Sequence, residues 1–131
     1  MIEIKVAISP GEMLDKITIL RIKAARMGDP AKLANVRAEL RALEETWNAS
    51  PYSSVDVDEE TASLAAVNER LWVIEDDIRD KERAKAFDAE FIRLARAVYI
   101  ENDERAAIKR RINVKLGSKL VEEKSYKDYK A

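Results

Sequence analysis

A chain of 131 residues with 24 basic and 25 acidic side chains, no cysteine and no histidine excludes disulfides and thiolate metal sites, and it lacks the commonest neutral-pH general base. The net charge is −1 and opposite charges are interspersed, so no global excess points to nucleic acid or a membrane surface. Three glycines and three prolines leave few connections, and abundant Ala, Leu, Glu, Lys and Arg favour long helices. No run approaches the ~20 apolar residues of a membrane span, and the opening MIEIKVAI has no secretory layout. A cytoplasmic protein with no membrane partner is expected.

Ile2, Ile4, Val6 and Ile8 alternate with Glu3, Lys5 and Ala7, a period of two that predicts a short β-strand over 2–8. Such a strand needs a partner, either another segment of the chain or a second subunit. Ser9, Pro10 and Glu12 then form a capping box that opens helix one, expected over 10–27. Leu14, Ile17 and Ile19 to Ile22 give this helix a wide apolar face, and Gly28 is placed to end it. Asp29-Pro30 repeats the start signal for helix two, over 30–47. Its apolar residues Leu33, Val36, Leu40, Leu43 and Trp47 step by three and four, and Trp47 is expected to be largely buried.

Residues 48–57 hold serines and a proline without sustained period and read as a loop. Asp56, Asp58, Glu59 and Glu60 follow at the start of helix three, where acids complement the helix dipole rather than a metal. Helix three, over 58–83, carries one seam: Leu64, Val67, Leu71, Ile74 and Ile78. Helix four is expected over 88–116, at ~1.5 Å per residue about 43 Å long. A charged tail occupies 118–131. The fold class is therefore all-α: one domain over 1–131, an antiparallel bundle of four helices with one long C-terminal helix and a short N-terminal β-strand. Helices two and three should form a hairpin, with helix four returning along helix three. The lone strand and the length of helix four predict a homodimer.

Helix four is irregular. Phe91, Leu94 and Val98 start its seam and Ile108, Ile112 and Leu116 continue it, but Glu101, Asn102 and Arg105 fall between them. In an antiparallel pairing these face Asn68, while Glu75, Asp76 and Arg79 lie toward the other end. Polar groups at seam positions either fix register or build a ligand site between helices. Arg105 and Lys109, four apart on one face, suit a phosphate or carboxylate. Arg105, Lys109, Arg110, Arg111, Lys115 and Lys119 form a basic end without acids, too local to predict a nucleic-acid partner. Glu101 and Glu104 facing Glu75 and Asp76 give only a weak carboxylate pattern, and neither metal nor cofactor is assigned.

The runs SPGEMLDKITIL at 9–20, DPAKLANVRAEL at 29–40, VNERLWVIEDDIRD at 67–80, and NDERAAIKRRIN with GSKLVEEKSY within 102–126 resemble a family of short bacterial proteins known only as a domain of unknown function. The resemblance implies no activity. It draws attention to Asp15, Asn68, Glu75, Asp76, Arg79, Asn102, Asp103 and Arg105 within those runs. The layout is also similar, at the level of fold alone, to helical chorismate mutases, where Arg and Lys hold a dicarboxylate. The favoured function is a non-enzymatic interaction or scaffold protein acting as a homodimer. The alternative is a binding protein or enzyme for an anionic or phosphorylated metabolite, at a site built from Asn68, Glu75, Asp76, Arg79, Asn102, Asp103, Arg105 and Lys109.

Overall fold

The computed structural model describes residues 2–130; Met1 and Ala131, the ends of the expected domain and tail, lie outside the described residues. Helix α1 spans Pro10–Arg26, and the Ser9 hydroxyl accepts the Glu12 N–H at 3.2 Å. Helix α2 spans Pro30–Ala49, its first turn capped by the Asp29 carboxylate, which accepts from the Ala31 N–H at 3.0 Å. A 3-10 turn over Pro51–Ser54 leads to helix α3, Asp58–Arg83. Helix α4 spans Ala89–Lys115, with Asp88 as its cap and Gly117 left-handed just beyond its end. No helix among the described residues is long and apolar enough to cross a membrane.

The order of packing departs from the expected hairpin. Helix α1 is the hub: it packs against α2, α3 and α4, while α3 packs along α4. Helix α2 lies on α1 rather than pairing with α3. Connection lengths explain this. Residues 27–29 are too few to carry α2 anywhere but back along α1, whereas residues 50–57 are enough to swing α3 to the other side of α1. Ion pairs fix the α3–α4 direction, because Lys81–Asp88, Arg70–Glu101 and Glu60–Lys115 descend one helix as they climb the other.

The core gathers Leu14 and Ile17 of α1, Val57, Leu64, Val67 and Leu71 before and on α3, and Ile108 and Ile112 of α4. Leu40, Leu43 and Trp47 of α2 cover its edge. Trp47 is therefore only partly buried, contrary to expectation, because α2 is the outermost helix. Its ring stacks on Tyr52 at 6.2 Å. The lower seam of α3 is likewise only half-buried at Ile74 and Ile78.

Residues 2–8 form no strand, which corrects the expected β-element. Strand backbone needs a partner ladder, and the other described residues are helix, turn or loop. Ile2, Ile4 and Val6 are 94%, 91% and 75% exposed. At the other end, residues 118–130 fold back along α4. Glu122 pairs with Lys109 at 2.7 Å, Glu123 with Arg110 at 3.0 Å and Lys124 with Asp103, and Tyr129 meets Tyr99 edge-on at 5.0 Å.

Candidate functional site

On α1, Gly11, Asp15, Thr18 and Ile22 lie four, three and four residues apart and share one stripe. All four are buried, Asp15 completely. On α4, Asn102, Arg105, Lys109 and Asn113 step by three, four and four and form a second stripe beside the apolar one of Ile108 and Ile112. The two stripes meet antiparallel. The Gly11 N–H donates to Asn113 Oδ1 at 2.7 Å, Lys109 Nζ donates to Glu12 Oε2 at 3.0 Å, and Arg105 clasps Asp15 with both Nε and Nη2, the former at 2.9 Å. Helix α3 closes the network from the third side, where Asn68 Nδ2 donates to Asp15 Oδ1 at 2.9 Å and to Thr18 Oγ1 at 3.0 Å. The polar interruption of helix four therefore faces α1 more than α3, because α1 occupies the hub.

This ladder needs close approach. A Cβ on Gly11 would stand 2.6 Å from the Lys109 carbonyl oxygen and 2.9 Å from Asn113 Oδ1. Asp15 is a buried carboxylate, which is tolerable only because a guanidinium and an amide both donate to it. The hydrogen bonds to Asp15 outweigh desolvation and raise the Arg105 pKa above its ordinary value, so the guanidinium stays charged. For Lys109, desolvation is the largest influence and disfavours the charge. The hydrogen bonds to Glu122 and Glu12 and the attraction of the Glu12 and Asp15 charges together outweigh it, and the pKa ends above the ordinary 10.5.

Beside the ladder, α1, α3 and α4 enclose a cleft of about 400 Å³. Ile19 and Ile22 of α1 and Leu71 and Trp72 of α3 give it apolar walls. Asn68, Asn102 and Arg105 line it at the ladder; Lys23, Glu75, Asp76 and Arg79 supply its charges. Arg79 and Glu75 pair with each other at 3.2 Å, while Lys23 and Asp76 make no ion pair among the described residues. Arg105 Nη1 reaches Asn102 Oδ1 at 3.4 Å, and Asn102 Nδ2 donates to the Val98 carbonyl at 2.9 Å. Arg105 and Asn102 also border a second cleft, of about 490 Å³, between α4 and the tail.

Six of the eight residues singled out by sequence, Asn68, Glu75, Asp76, Arg79, Asn102 and Arg105, thus line one cleft. Two do not. Lys109 is committed to Glu12 and Glu122 further along the ladder, and Asp103 points to the tail, where it pairs with Lys124. The anion that Arg105 and Lys109 were expected to bind is supplied by the chain itself, as Asp15, Glu12 and Glu122. Glu101 turns outward to Arg70 at 3.0 Å. Spacing alone missed Lys23, Trp72, Gly11 and Asn113. The three-four-four rhythm of Asn102, Arg105, Lys109 and Asn113, matched to Gly11 and Asp15, was the signal available for the last two. Among the described residues no group of three or more Asp and Glu side chains is placed to hold a metal ion.

Among the described residues, fold and site define a small four-helix protein in which the buried Asp15–Arg105 pair and the partly buried Glu12–Lys109 pair lock the first and last helices beside an amphipathic cleft. The chain belongs to DUF6165, a family of unknown function whose match covers residues 4–130. No curated protein and no solved structure matches it.

Proposed function

We propose that the protein is a non-enzymatic, homodimeric binding protein whose α1–α3–α4 cleft takes a small organic anion with an apolar body, such as an aromatic carboxylate or a phosphate monoester. The observation that carries this reading is the convergence of six polar residues from two distant segments on one cleft with apolar walls. Its volume of about 400 Å³ falls within the range of small-molecule sites. The free ammonium of Lys23 supplies the charge, with Arg79 and the remaining Arg105 N–H groups beside it. Arg105 is held protonated by Asp15, so it orients a ligand rather than moving a proton. Homodimerisation is supported by the exposed Ile2, Ile4 and Val6.

The test uses Trp72. The chain has two tryptophans, so Trp47→Phe leaves Trp72 as the sole indole emitter, inside the cleft. Benzoate, phenyl phosphate and glucose 6-phosphate are titrated against its emission and against Tm. At least one should give a saturable change and raise Tm, because a ligand selective for the native state stabilises it. Lys23→Met should weaken that binding about ten-fold or more, the equivalent of one charge-assisted hydrogen bond. If all three probes at millimolar concentration leave both emission and Tm unchanged, the cleft is not such a site.

A further inference from the structure

We propose, resting on the homodimeric reading above, that the two N-terminal arms of a dimer pair as an antiparallel two-stranded ribbon centred on Ile4, so that each Glu3 lies opposite the partner subunit's Lys5. The arm is Ile2 to Ile8, exposed for its whole length and free of strand pairing among the described residues. Its root is fixed, because Ser9 is buried and caps α1 while Pro10 is buried as the first helical residue. Pro10 also has no N–H to offer a ladder, so any strand must end before it. Arm-to-arm pairing satisfies the backbone groups that a lone strand leaves open.

Charge selects the register. A parallel, in-register pair would set Glu3 beside Glu3 and Lys5 beside Lys5, which is repulsive. An antiparallel pair centred on Lys5 would set the two lysines opposite each other and leave Glu3 facing Ala7. An antiparallel pair centred on Ile4 sets Glu3 opposite Lys5 twice, once on each side of the two-fold axis. The same register places Ile4 against Ile4 and Ile2 against Val6 on the other face, so apolar and charged residues separate cleanly. It is the only one of these three registers in which every charge has an opposite partner. At ~3.3 Å per residue it puts the two Ser9 residues about 33 Å apart, which describes an elongated dimer.

Charge reversal tests this. The wild type, Glu3→Lys, Lys5→Glu and an equimolar mixture of the two variants are compared by sedimentation velocity over a concentration series. Each single variant turns both attractive pairs into repulsive ones and should weaken the dimer roughly ten-fold. The mixture should regain wild-type affinity. One variant then carries two basic residues on its arm and the other two acidic ones, so both cross-strand pairs between unlike chains are again of opposite charge. Ile4→Cys gives an independent readout in a chain without other cysteines: oxidation should link two copies through their facing positions. A wild type that dimerises but is insensitive to both reversals overturns the ribbon and leaves the dimer standing on another surface. A wild type that stays monomeric throughout overturns the homodimeric reading itself.

Discussion

Arg105→Met removes the guanidinium but keeps much of the side-chain volume. Asp15, fully buried, would then retain one side-chain donor, the amide of Asn68. Breaking a buried pair from one side typically costs about 3–5 kcal/mol, because the remaining charge is uncompensated. The Arg105 side chain is 27% exposed, so water can enter as it leaves, which places the cost near the lower end, about 3 kcal/mol. For a chain of this length, unfolding entropy converts that to a drop in Tm of about 10 °C. Adding Asp15→Leu should recover most of the loss. The buried charge is then gone, and Asn68 still donates to Thr18 Oγ1. Urea unfolding of the wild type, both single variants and the double variant gives the coupling directly. Additive costs, or a loss below about 1 kcal/mol for Arg105→Met, would refute the lock. Replacing both Asn102 and Arg105 with leucine should destabilise the fold for the same reason, since that change strands Asp15.

Gly11→Ala forces a Cβ against backbone and an amide, and should cost about 1–3 kcal/mol by denaturant melt. Gly28→Ala, in open space and without a left-handed backbone, should instead stabilise by about 0.4–1 kcal/mol. Leu71→Ala should lose about 2–5 kcal/mol, but Ile74→Ala, at a half-buried site, under about 2; equal losses would show that the seam is buried throughout. Glu60 is held below its ordinary pKa of 4.5 chiefly by its hydrogen bond to Lys115. A lowered folded-state value contributes stability that is present above 4.5 and lost as pH falls through the folded value. Melts between about pH 5 and pH 3 should therefore fall more steeply for the wild type than for Glu60→Gln; parallel curves would count against this pairing.

Capping residues and three-four spacing were enough to reveal the four α-helices of the described residues. Both are local properties: the Ser9 and Asp88 side chains each accept an N–H of their own helix's first turn, and an apolar stripe is set by helical pitch. Polar residues interrupting the α4 seam, Asn102 and Arg105, and those flanking the α3 seam, Asn68, Glu75, Asp76 and Arg79, were equally legible, and these six of the eight singled out share one cleft. Their partners were not. A stripe shows which way a residue faces along its own helix but not which helix it faces. That was decided by the short 27–29 connection, which laid α2 on α1, and by the longer 50–57 connection, which put α1 between α2 and α3. Once α1 became the hub, Asp15 met Arg105 across ninety residues of chain. The same packing left Trp47 at an edge. Alternation at 2–8 led to a strand that the structure does not contain, because a strand exists only where another edge is offered, and the other described elements of this chain are helices, turns and loops.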